Sequence, residues 1–137
     1  MPMIQNKIVA RFKDGRILKG FTNDFLPTKP LFHLNTADAA SPPTAVEVRI
    51  ADLKAIFFVK DLNSKAQPHT HRQDFDPTKP AIGRKIRVVF QDGEILTGTT
   101  QGYDASRPGF FVVPADPQSN NDRCFVVKGS TRQVFFI

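Results

Sequence analysis

The side chains that could take part in catalysis or metal binding are few and scattered along the chain. The three histidines are His33, His69 and His71, and none of them belongs to a Ser/His/Asp or Cys/His arrangement. His69 and His71 form a His-x-His pair, but no further ligands follow at the spacing of a metal site. We therefore expect no catalytic residues, no metal and no cofactor, and we expect the protein not to be an enzyme.

The chain contains an internal repeat. Residues 2–59 align without a gap on residues 80–137 when the sequence is shifted by 78 positions, and 19 of the 58 aligned residues are identical. A repeat of this quality predicts two copies of one structural unit, at 2–59 and 80–137, with a linker at 60–79. A unit this small buries only ~60% of its unfolded surface. We therefore expect the repeats to pack on each other or the protein to oligomerise.

Each repeat predicts five short antiparallel strands. Apolar residues alternate along the first strand, Asp14-Gly15 has the composition of a two-residue hairpin turn, and Gly20 predicts a bend in the returning strand. The second repeat has Asp92-Gly93 and Gly98 in the same places. The predicted fold is all-β, with two tandem homologous small five-stranded antiparallel barrels. In the first repeat the later strands are expected at 31–34, 46–50 and 54–59, with a helical turn at 51–53.

The aligned repeats also predict structural roles for the remaining reactive groups. Cys124 aligns with Val46, so we interpret it as a small strand hydrophobe, and the carboxylates of Asp92 and Glu94 flank a turn. The apolar residues 134–137 predict that the last strand is covered.

Charge and composition allow several kinds of partner. The net charge is +6, with eight basic and five acidic residues in the first repeat, four and three in the spacer, and seven and five in the second repeat. This diffuse excess permits an anionic partner without indicating one. One cysteine allows no internal disulfide, and no segment has the apolar length of a signal peptide or membrane span. We expect a soluble cytoplasmic protein.

One resemblance covers both repeats. Residues 10–20 and 88–98 share the pattern hydrophobic-x-Phe-x-Asp-Gly-x-Ile-Leu-x-Gly. This pattern is similar to the first motif of Sm-like proteins, and residues 48–58 resemble the closing strand of that family. The resemblance implies a bent five-stranded barrel and makes RNA a candidate partner.

A second resemblance is confined to the second repeat. Residues 104–109, Asp-Ala-Ser-Arg-Pro-Gly, fit the Asp-x-Ser-x-x-Gly motif and resemble PilZ domains, bacterial β-barrels that bind cyclic di-GMP. The resemblance implies a binding site made of Arg84, Arg87, Asp104, Ser106 and Gly109. Arginine forks suit phosphates and guanine edges, and glycine allows close approach to the backbone. The aligned segment of the first repeat has neither the Asp nor the Gly.

Other interpretations of these residues stay open. Asp-x-Ser before Pro-Gly is also typical of an ordinary turn in which short side chains bond to their own backbone. Three hypotheses follow for this non-enzymatic binding or regulatory protein: a receptor for cyclic di-GMP, an Sm-like RNA-binding protein, and a scaffold that binds another protein. Exposed aromatic side chains, with Phe21, Phe111 and Tyr103 as candidates, could stack on bases.

Overall fold

The computed structural model describes residues 6–36, 44–60, 62, 83–104, 106–115 and 121–137. Within these ranges the chain is all-β, with ten strands and two single-turn 3-10 helices at Ile50–Asp52 and Lys128–Ser130. The strands are β1 (Asn6–Phe12), β2 (Ile17–Thr22), β3 (Leu31–Thr36), β4 (Ala45–Arg49), β5 (Leu53–Val59), β6 (Arg84–Phe90), β7 (Ile95–Thr100), β8 (Gly109–Pro114), β9 (Asn121–Val127) and β10 (Thr131–Phe136). Most of the predicted linker lies outside the described residues.

All ten strands belong to one antiparallel sheet. Its order is β10-β6-β7-β8-β9-β5-β1-β2-β3-β4. Both halves keep the same internal order, with the fifth strand beside the first, and the halves join where β5 pairs with β9. The all-β class is confirmed. The prediction of two tandem five-stranded barrels is not confirmed, because one open sheet runs through both repeats.

The Asp-Gly segments form the predicted hairpins, but through a three-residue loop instead of the predicted two-residue turn. Gly15 and Gly93 have φ of 96° and 90°, and no other residue type in the described ranges has positive φ. Phe12 N–H donates to the Arg16 carbonyl and Gly15 N–H donates to the Phe12 carbonyl, which makes a three-residue loop with glycine in the left-handed position. The Asp14 side chain accepts from the Arg16 N–H at 3.0 Å, which favours this loop over the predicted two-residue turn.

The core depends on β5 and β9, two strands that place side chains in a hydrophobic cluster on each face of the sheet. In β5, Ile56 and Phe58 lie in one hydrophobic cluster, whereas Ala55, Phe57 and Val59 lie in a second. Alternate residues of β9 divide between the same two clusters, and every residue of β5 is buried. Successive strand residues point to opposite faces, so each half of the chain completes the core of the other.

An ion cluster joins the two halves beside this ladder. Lys54 on β5 is only 5% exposed, and its Nζ lies 2.7 Å from Asp92 Oδ2 and 2.9 Å from Glu94 Oε1. Arg11 Nη1 lies 2.9 Å from Glu94 Oε1. The two cations come from the first repeat and the two carboxylates from the second.

Two glycines allow neighbouring strands to approach closely. A Cβ at Gly20 would collide with the Asn35 carbonyl oxygen, and a Cβ at Gly98 would collide with the Val113 carbonyl oxygen. The neighbouring strand therefore lies so close to each glycine that only hydrogen fits there.

We expect Gly98→Ala to lower the free energy of unfolding by about 3 kcal/mol, because β7 and β8 must separate to admit the methyl group. Gly102→Ala is the matched control, since a Cβ there meets nothing within 4 Å. Urea denaturation measures both, and equal stabilities of the two variants would contradict the steric argument.

We expect Lys54→Met to lower the free energy of unfolding by about 2 kcal/mol, because it keeps the buried stem but leaves two carboxylates without their shared cation. Lys19→Met removes the same charge from an exposed position on β2 and should change stability by less than about 0.5 kcal/mol. Chemical denaturation compares them, and an unchanged Lys54→Met midpoint would refute the role of the cluster.

Candidate ligand-binding site

The two predicted site arginines lie on β6 and contact neighbouring side chains. Arg84 places its guanidinium 3.7 Å from the centroid of the Phe136 ring. It also lines a small cavity of about 260 Å³ together with Tyr103. Arg87 is half-buried, and its Nε donates to Thr97 Oγ1 at 3.4 Å. In the described part of the chain, no hydrogen bond or ion pair joins either arginine to Asp104 or Ser106.

Asp104 and Ser106 form a turn that bonds to itself. Ser106 donates its N–H and its hydroxyl to Asp104 Oδ1, at 2.9 Å and 2.7 Å. Arg107 Nε lies 3.7 Å from the other carboxylate oxygen. The hydroxyl and backbone bonds from Ser106 lower the pKa of the exposed Asp104 carboxyl below its usual value. This geometry agrees with the turn interpretation of the motif, and a ligand would have to compete with these bonds.

Gly109 begins β8 and is buried against β9. A Cβ there would lie 2.5 Å from both the Phe125 ring and the Val126 carbonyl oxygen. The glycine is therefore needed for strand packing. It also lines a cavity that brings together Arg107, at a variable position of the motif, and Arg123 from β9.

We call this space the arginine cavity. Its volume is about 450 Å³, and the lining residues used below are Gln101, Arg107, Gly109, Phe111 and Arg123. The Arg123 guanidinium lies 4.4 Å from the ring centroid of Phe58 and 4.8 Å from that of Phe111. No carboxylate of the described residues lies within ion-pair distance of Arg123. A cation held on aromatic faces keeps its N–H donors for another partner.

A second cavity lies between the repeats and has a different character. Its volume is about 600 Å³, and it is lined by aligned residues of both repeats, Pro30 with Pro108 and Ala51 with Gly129. Three lysines, Lys13, Lys29 and Lys128, also line it, and none of the described residues in the lining carries a carboxylate. We call it the lysine groove.

The described residues offer no metal site or reactive thiol. No group of three His, Cys, Asp or Glu side chains in these ranges could hold a metal ion. His69 and His71 lie outside the described residues. Cys124 is buried on β9, and burial strongly raises the pKa of its thiol, so it is the strand hydrophobe that the alignment predicts.

Comparison with known proteins gives a family without an assigned activity. Residues 4–137 match the family described as Family of unknown function (DUF6982), and the chain belongs to that family. No curated protein and no solved structure matches the chain. No helix among the described residues has the length and apolar character needed to cross a membrane.

We expect Ser106→Ala to raise the pKa of Asp104 towards 3.8, because it removes the hydroxyl donor to the carboxylate. Carboxyl carbon chemical shifts followed against pH measure this value. Asp14 is the internal control, since the pKa of its carboxyl is lowered by bonds from Arg16 and should not change. An unchanged pKa of Asp104 would contradict the self-bonded turn.

Proposed function

We propose that this member of the DUF6982 family is a non-catalytic binding protein whose ligand is a nucleotide held in the arginine cavity. The observation that carries the proposal is the placement of Arg107 and Arg123 around one cavity of about 450 Å³. Arginine forks bind phosphate oxygens in pairs of hydrogen bonds. The Phe111 ring and the Gln101 amide supply a stacking face and hydrogen-bonding groups for a base.

Cyclic di-GMP is the most specific candidate ligand. It is supported by the PilZ-like motif, because two residues of that segment, Arg107 and Gly109, line the arginine cavity. In this proposal Arg107 leaves its long contact with Asp104 to bind phosphate. The exchange is inexpensive, since an exposed ion pair of this kind contributes little stability.

Single-stranded RNA is the alternative ligand of the same chemistry. The lysine groove favours it, because Lys13 and Lys29 line a cavity to which no described carboxylate contributes, and their ammonium groups can bind the phosphates of a longer chain. Pro27 lines the arginine cavity while its neighbours Thr28 and Lys29 line the lysine groove, so one strand could reach both. A scaffold that binds another protein is the third possibility and needs neither cavity.

We expect cyclic di-GMP to bind, and Arg107→Ala or Arg123→Ala to weaken its binding by about tenfold or more, because each removes charge-assisted hydrogen bonds to phosphate. Titration calorimetry and amide shifts of the labelled full chain measure binding, with GMP and a short single-stranded oligoribonucleotide as parallel ligands. Lys19→Ala is the matched control, since it removes the same charge outside the cavity lining.

The outcomes separate the ligands. Oligoribonucleotide binding that falls steeply with salt and is lost in Lys29→Ala would assign the site to RNA. Failure of all three ligands, or wild-type affinity in Arg123→Ala, would overturn the proposal and leave the scaffold hypothesis.

A further inference from the structure

The two outermost strands of the sheet, β10 and β4, each pair with only one described strand. β10 pairs with β6, β4 pairs with β3, and no described strand lies on their outer sides. Such edges present unpaired backbone donors and acceptors to any strand that can approach them.

Strands equivalent to β10 and β4 already pair with each other inside the chain. Under the 78-residue shift, β10 corresponds to β5 and β4 corresponds to the paired part of β9. Inside the chain β5 and β9 pair antiparallel, with Ile56 opposite Phe125 and Phe58 opposite Arg123. The internal β5–β9 ladder therefore shows how strands of these two kinds pair, and β10 and β4 lack such a pairing among the described residues.

The burial of equivalent residues shows what the missing contact would cover. Phe57 and Phe58 on β5 are 4% and 5% exposed. Their counterparts Phe135 and Phe136 on β10 are 43% and 38% exposed, and Ile137 is 54% exposed. Residues 134–137 were expected to be covered, but among the described residues only Val134 packs against a core cluster. Arg84 and Tyr103 contact the Phe136 ring and still leave it partly exposed.

The backbone directions of the two edges are also compatible. Ile137 N–H donates to the Lys85 carbonyl at 3.0 Å, so by alternation Val134 and Phe136 direct their backbone N–H and C=O groups away from β6. Ile50 N–H donates to the Pro30 carbonyl at 2.9 Å, so Glu47 and Ala45 direct theirs away from β3. These groups are the ones that must meet across a new ladder.

We propose that β10 of one copy of this chain pairs antiparallel with β4 of a second copy, in the register of the internal β5–β9 ladder. Transferred by the 78-residue shift, the pairs are Gln133 with Val48, Val134 with Glu47, Phe135 with Val46, and Phe136 with Ala45. The two surfaces differ, so the contact is head-to-tail and repeats from copy to copy as a ring or a filament.

Only part of the ion cluster beside the β5–β9 ladder has counterparts at the proposed contact between copies. Lys54 corresponds to Arg132 and Asp92 corresponds to Asp14, so Arg132 of one copy comes opposite Asp14 of the next. Glu94, however, corresponds to Arg16, which is already paired with Asp14. The contact between copies therefore depends on backbone pairing and aromatic burial more than on ion pairs, and we expect it to persist in salt.

Proline substitution tests the proposed β10–β4 ladder without removing a backbone hydrogen bond within one copy. Glu47→Pro blocks the β4 edge and Val134→Pro blocks the β10 edge, and both positions direct their N–H outwards, where an edge strand tolerates proline. Light scattering should give wild-type protein a mass at a multiple of the 15.3 kDa chain. Each proline variant alone should be a monomer, and circular dichroism should give both the wild-type spectrum.

Mixing the two variants is the decisive measurement. Glu47→Pro keeps a competent β10 and Val134→Pro keeps a competent β4, so the mixture should form a dimer of twice the 15.3 kDa chain mass. Glu47→Ala and Val134→Ala keep their backbone donors and should assemble like the wild type. A monomeric wild type at micromolar concentration, or folded proline variants that still assemble separately, would overturn the proposal.

Discussion

The pairing of β5 with β9 is the constraint on which the rest of the structure depends. A 58-residue repeat cannot bury enough apolar surface to be securely stable alone. The ladder increases the buried apolar surface, because its two strands lie between two hydrophobic clusters. Ala55 and Phe57 belong to one cluster, and Ile56 and Phe58 belong to the other. Each hydrophobic cluster contains residues of both repeats. We therefore infer that the two halves fold as one cooperative unit.

The same ladder explains why a lysine is buried in an apolar strand. Lys54 lies where alternation would place an apolar residue, and taking its ammonium out of water is costly unless charged partners are fixed beside it. Asp92 and Glu94 supply those partners from the turn of the other repeat, and the Phe90 ring lies 4.7 Å from Nζ. The cluster therefore selects one way of joining the halves, because a shifted ladder would leave the charge buried and unpaired.

Sequence reasoning succeeded where the determinants are local. The hairpins and the close strand approach at Gly20 and Gly98 follow from glycine chemistry and alternating hydrophobicity. Predicted strands at 46–50 and 54–59 lie within one residue of the observed β4 and β5. The continuous sheet could not be predicted in this way, since the pairing of β5 with β9 joins residues far apart in sequence. Phe57 and Phe135 are identical residues in aligned positions, yet only the first is buried.

The residues around the arginine cavity could not be predicted from the motif, for a related reason. The motif indicated Asp104 and Ser106, but their side chains bond to each other. Arg123 was missed because it lies on a strand and belongs to no motif. The detectable signal was divergence between the repeats, since an arginine stands at 123 where the first repeat has Ala45.

That divergence also determines how many nucleotide sites an assembled protein would have. Arg123 faces Phe58 across the internal ladder, so the arginine cavity is built where the two halves join. A ladder between copies would place Phe136 opposite Ala45, so β4 would supply no counterpart of Arg123. Leu31 and Glu47 would stand there in place of Gly109 and Phe125, so a side chain and a negative charge would oppose an anionic ligand. In the proposed assembly the junction between copies would lack a counterpart of Arg123 and would carry a carboxylate, which argues for one arginine cavity, and so one proposed ligand, per chain.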